Sequence, residues 1–109
     1  VNPGDVQARL ARSWSRASAR QYTPENPALG QCSATALVVQ AAYGGELLKT
    51  RVGEAWHFYN RIDGVAHDFT AAQFAVPIRY DDVSATHDEA LADTSPEQVA
   101  ALAEAFNRG

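Results

Sequence analysis

Residues 32–43 carry no charged side chain and are bounded by Gly30 on one side and Gly44-Gly45 on the other. The stretch Ser33-Ala34-Thr35-Ala36-Leu37-Val38-Val39-Gln40-Ala41-Ala42 is apolar around most of a helical circumference. It therefore reads as a buried central helix, which other elements have to surround. The Gly pair supplies its C-terminal stop. A chain of 109 residues has room for one core, so residues 1–109 are read as a single domain built round this helix.

The flanking segments supply the covering elements. Asn2-Pro3 is an N-cap followed by proline at the first helical position. Val6, Leu10 and Trp14 then recur every four residues, which predicts a helix over about residues 3–14, extending toward Arg20. Pro24 and Pro27 make the stretch before Gly30 a loop. Beyond Gly45, residues 46–52 and 55–62 read as strands joined at Gly53-Glu54, with a third over 65–69. Thr70-Ala71-Ala72-Gln73 starts a short helical turn, and 77–80 is read as one more strand. Residues 81–93 are acidic without periodicity and are read as an exposed loop. Ser95-Pro96-Glu97-Gln98 is a capping box, and Val99, Leu102 and Phe106 form the stripe of the helix it opens. The expected fold class is α+β, with three helices and a central helix packed on a small antiparallel sheet.

Asp63-Gly64 is a strong two-residue hairpin signal, and it fixes which side chains share a face. Ile62 pairs with Val65, Arg61 with Ala66 and Asn60 with His67. His57, Tyr59 and Arg61 then share a face with Ala66, Asp68 and Thr70, while His67 points to the other side. His57 and Asp68 become diagonal neighbours. Cys32, the one cysteine of the chain, lies at the first turn of the central helix. There the helix dipole and unpaired N–H groups favour a thiolate. A nucleophilic thiol needs a base, and that base needs a group that fixes its tautomer. Cys32, His57 and Asp68 fill those three roles. The oxyanion of an acyl intermediate is expected at the Cys32 backbone N–H, with Asn26 or Gln31 as a second donor. The bland readings are a packed thiol, a half-exposed histidine and a solvent-facing aspartate.

The order of elements, cysteine on a helix, histidine on a strand and aspartate on the next, resembles papain-like and transglutaminase-like cysteine enzymes. Asp68-Phe69-Thr70 is similar to the Asp-x-Thr step of transglutaminase cores. A closer resemblance is to the YunG-like family of small bacterial proteins. It is carried by Trp14-Ser15, Asn26-Pro27, Gly30-Gln31-Cys32, Thr35-Ala36-Leu37-Val38-Val39-Gln40 and Gly44-Gly45-Glu46-Leu47-Leu48. It continues through His57-Phe58-Tyr59-Asn60, Asp63-Gly64, Asp68-Phe69-Thr70 and Gln73-Phe74, covering roughly residues 13–80. The resemblance implies a small domain with a Cys-His-Asp arrangement and brings no known reaction.

The expected function is a cysteine-dependent hydrolase or acyltransferase acting through a thioacyl intermediate on a peptide, amide or ester. The alternatives are a non-catalytic binding or regulatory domain and an effector-type deamidase or peptidase domain. The formal charge of −4, with Arg9, Arg12, Arg16 and Arg20 as the one basic face, argues against nucleic acid. No apolar run reaches the ~18–20 residues of a membrane span. No metal-ligand spacing is present, so no metal or other cofactor is expected. A lone cysteine without a targeting segment points to the cytoplasm. The chain starts at Val1 and contains no methionine, so its start reads as trimmed or processed.

Overall fold

The computed structural model describes residues 1–109. Asn2 lies in extended backbone and accepts the Asp5 N–H at 3.1 Å, and Pro3 opens α1 (Pro3–Ser13). This helix buries Val6, Leu10 and Ser13. It ends earlier than its apolar stripe predicts, because Trp14 adopts extended backbone. The Ser18 hydroxyl then accepts the Ser15 N–H and donates to the Ser15 carbonyl, both at 3.0 Å, the local alternative to helix that serine offers. The Trp14 indole turns inward and donates to Thr35 Oγ1 at 2.9 Å.

The central helix is α2 (Cys32–Tyr43). Residues 33–39 are all buried, while Ala41 and Ala42 emerge at the surface. Gly44 and Gly45 both have positive φ, and a Cβ on Gly45 would stand 2.1 Å from the Arg61 carbonyl oxygen. The helix therefore ends where glycine alone allows the chain to pass close beneath the sheet.

Four antiparallel strands follow: β1 (Glu46–Val52), β2 (Ala55–Ile62), β3 (Val65–His67) and β4 (Val83–Ala85), in the order β3-β2-β1-β4. Asp63 and Gly64 adopt φ of 51° and 80°, the two positive values of a type I′ turn. Ile62 pairs with Val65, Arg61 with Ala66 and Asn60 with His67, the register expected of a two-residue loop. β3 stops at His67, two residues short of the expected end. Beyond it the Phe69 carbonyl accepts from Gln7 Nε2 on α1 at 2.8 Å, and the ladder is lost.

Residues 77–80 form no strand. The Thr50 hydroxyl donates to the Arg79 carbonyl and accepts the Asp81 N–H, both at 3.0 Å, replacing a backbone ladder. The acidic stretch expected to be a loop instead contains β4, paired to β1, and α3 (His87–Ala92). α3 starts at a complete capping box, Thr86 with Glu89, and seats Ala90 in the core. Last comes α4 (Pro96–Arg108), capped by Ser95 and burying Leu102 and Phe106. The architecture is α+β, with four α-helices.

One sheet face meets the helices. Ile62 joins Val6, Leu10, Trp14, Val38, Val39, Phe69, Leu102 and Phe106 in the main core, and Leu47 and Phe58 join Ala36, Leu37 and Ala90 in a second cluster. Asn60, fully buried, donates to the Ala36 carbonyl at 3.0 Å and ties β2 to α2. The other face presents Leu48, Thr50, His57 and Tyr59, all buried. Thr50 and Tyr59 on that face are held by the irregular segment 79–82 through hydrogen bonds to Arg79, Asp81 and Asp82. No helix is long and apolar enough to cross a membrane.

Candidate active site

His57 lies on β2 opposite Thr50 of β1, where β3 has already ended, so no strand lies beside it on that other edge. Its side chain is 3% exposed and that of Asp68 is 6% exposed. His57 Nε2 and Asp68 Oδ2 are 2.7 Å apart. The Phe74 ring packs edge-on against the imidazole with centroids 4.9 Å apart, and Tyr59, two residues along the same face, stacks at 6.1 Å.

The Asp68 carboxylate is saturated with donors. Oδ2 also accepts from the Tyr80 hydroxyl at 2.6 Å, and Oδ1 accepts from the Thr70 backbone N–H and hydroxyl, each at 3.2 Å. Burial works against its charge, but the bond to His57, the charge of that ring and the Tyr80 and Thr70 donors together hold the carboxyl below its ordinary range. A carboxylate fixed on both oxygens has one orientation, and so has the imidazole bonded to it.

Burial pushes the His57 ring toward its neutral form, yet hydrogen bonding to Asp68 and to Cys32, with the charges of both, raises its pKa from 6.5 to about 9. His57 is therefore protonated at neutral pH. Asp68 occupies Nε2, leaving Nδ1 as the ring nitrogen available to the thiol. Cys32 is half-buried and packs on the cluster that contains Leu37, Leu47 and Phe58. Its Sγ lies 3.7 Å from Ser33 Oγ. Cys32 thus has an apolar wall on one side and the Ser33 hydroxyl on another.

α1, α3 and α4 each have a side-chain cap, from Asn2, Thr86 and Ser95, but α2 has none. The N–H groups of its first turn stay without that partner beside the thiol. Gln31, the residue before Cys32, is fully buried. Its Nε2 donates to the Ser15 carbonyl at 3.3 Å, and its Oε1 has no partner. Asn26 Nδ2 donates to the Gln73 carbonyl at 3.4 Å. Each amide thus spends one hydrogen on structure and retains a second.

The structure brings His57 and Asp68 together, and Cys32 lies near enough to contribute to the raised pKa of the ring. It leaves His67 on the opposite face, half-buried and stacked on Phe69 at 5.6 Å. Tyr80 is the member that sequence reasoning missed; it lies 12 positions beyond Asp68, in residues 77–80, where the sequence predicts a strand and no site residue. Phe74 was signalled only as part of the Gln73-Phe74 pair. No group of three or more His, Cys, Asp or Glu side chains forms a candidate metal site.

A family model described as YunG protein matches residues 2–108. A Bacillus subtilis (strain 168) protein named "Uncharacterized protein YunG" is 52% identical over 103 residues, covering 94% of this chain and 90% of that protein. No solved structure matches the chain. Nearly full-length agreement with the family, together with identity at this level, establishes that the chain belongs to the YunG family.

Proposed function

We propose that this protein is a cysteine-dependent hydrolase or acyltransferase with a papain- or transglutaminase-like arrangement of Cys32, His57 and Asp68. The observation that carries the reading is the buried 2.7 Å bond between His57 and Asp68, with Cys32 acting on the same imidazole. Cys32 as thiolate attacks a carbonyl carbon, the C–S bond forms, and the carbonyl electron pair moves to oxygen. The uncapped N–H groups at the start of α2 receive that oxyanion, with the free amide hydrogen of Gln31 or Asn26 as a second donor. His57 then gives its proton to the departing group, leaving a thioacyl enzyme. Water or an acceptor nucleophile, deprotonated by His57, attacks the thioester and releases Cys32. Asp68 keeps the ring in one tautomer and orientation throughout. A free thiol in this role suits a reducing compartment, the cytoplasm.

The test is intact mass after incubation with a panel of amide, ester and thioester acyl donors. An acyl adduct on Cys32 that is lost in Cys32→Ala and slowed in His57→Ala supports the reading. Labelling independent of His57 opposes it. A non-catalytic binding domain is the second reading, favoured by one observation: none of the four surface cavities is lined by Cys32 or His57. That reading predicts no adduct with any donor.

A further inference from the structure

The first turn of α2 is tied to the end of α3. Buried Ser33 donates its hydroxyl proton to Asp93 Oδ2, and Cys32 Sγ lies 3.7 Å from the same hydroxyl oxygen. Asp93 is also a wall of a cavity of about 250 Å³, whose other walls are Ala55, Trp56, Phe58, Glu89 and Ala92. Phe58 in turn belongs to the cluster on which Cys32 packs. One polar and one apolar contact therefore join this cavity to the thiol. Ligand pockets for drug-sized molecules run from about 300 Å³ upward, so this one suits a single side chain.

Its two carboxylates are paired differently. Glu89 is paired with Lys49 at 2.7 Å, and Lys49 and Arg51 both lie over the Trp56 ring, at 4.4 and 4.6 Å. Asp93 has no ion-pair partner. It also caps the C-terminal end of α3, where the helix dipole disfavours a carboxylate. Its side-chain partner is the neutral Ser33 hydroxyl, so no cation of the chain balances its charge. The apolar walls suit a hydrocarbon stem, and the unmatched carboxylate suits a cationic head.

We propose that this cavity receives a lysine or arginine side chain of a polypeptide substrate, near the carbonyl that Cys32 attacks. The inference rests on the acyl-transfer reading and names its substrate class. The experiment uses peptidyl chloromethyl ketones that differ in one side chain, Lys, Arg or Glu, and measures their rates of Cys32 alkylation. Each rate is divided by the iodoacetamide rate of the same protein, which removes differences in thiol reactivity. The Lys and Arg reagents should exceed the Glu reagent by about fivefold, the scale of an exposed ion pair. Asp93→Asn keeps an acceptor for Ser33 and should bring the ratio near one, and Asp93→Lys should reverse it. A ratio near one in the wild type, or a preference unchanged in Asp93→Asn, overturns the inference. Failure of the acyl-transfer reading shows elsewhere, as iodoacetamide rates that do not respond to His57→Ala, so the two failures are separable.

Discussion

His57 is the residue on which the site turns, and its charge state is measurable. Its pKa is raised to about 9, so ring NMR signals should titrate near that value and well above 6.5. Asp68→Asn removes the counter-charge and leaves burial unopposed by it, so the His57 pKa should fall by at least one unit; an unchanged titration would remove Asp68 from the account. The same shift links stability to pH. A pKa raised in the folded state stabilises fully below the unfolded value and is lost as pH rises through the folded value. Stability should fall by about 3 kcal/mol between pH 6.5 and somewhat above 9, and His57→Gln should flatten that slope in urea titrations. Asp68 acts at the other end: its lowered pKa stabilises above its ordinary range and is lost on acidification through the folded value. Tyr59 and Tyr80 are both held in the phenol form, by burial first and then by their bonds to Asp82 and Asp68.

At the scale of elements, the connections place the site. The α2–β1 link depends on Gly45, whose φ is 83° and whose Cβ would meet the Arg61 carbonyl oxygen at 2.1 Å. Gly45→Ala should destabilise by more than about 2 kcal/mol in chemical denaturation, from strained φ and a backbone clash together. Asn60→Ala should cost about 1–3 kcal/mol, by removing a buried side-chain hydrogen bond and the packing with which Asn60 holds β2 to α2. These elements were legible to different degrees. Asp63-Gly64 is read locally, because two positive φ values select its residues, and the register it fixes chooses His57 over His67. The Thr86–Glu89 capping box is equally local, yet the density of acidic side chains around it hides the helix it begins. β4 is three residues long and exists through pairing with β1, so no periodicity announces it. Tyr80 reaches Asp68 because Thr50 and Tyr59 anchor the residues on either side of it, a long-range arrangement that no spacing encodes.

At the scale of the molecule, α2 has two jobs. Its first turn carries the thiol, and its middle turns form the wall between α1 and α4 on one side and the sheet on the other. The two jobs are separable. Phe106, on α4, packs in the main core with Leu10 and Leu102 and does not touch the Cys32–His57–Asp68 group. Phe106→Ala should lower stability by about 3–5 kcal/mol while leaving the alkylation rate of the folded fraction unchanged. The central claim is that Cys32 and His57 act as one chemical unit, and the rate of Cys32 alkylation by iodoacetamide at pH 6 tests it most directly. A thiolate held by a protonated His57 should react at least about tenfold faster in the wild type than in His57→Ala, and faster than free cysteine at the same pH. Equal rates in the two proteins, at the level of an ordinary thiol, would contradict the account.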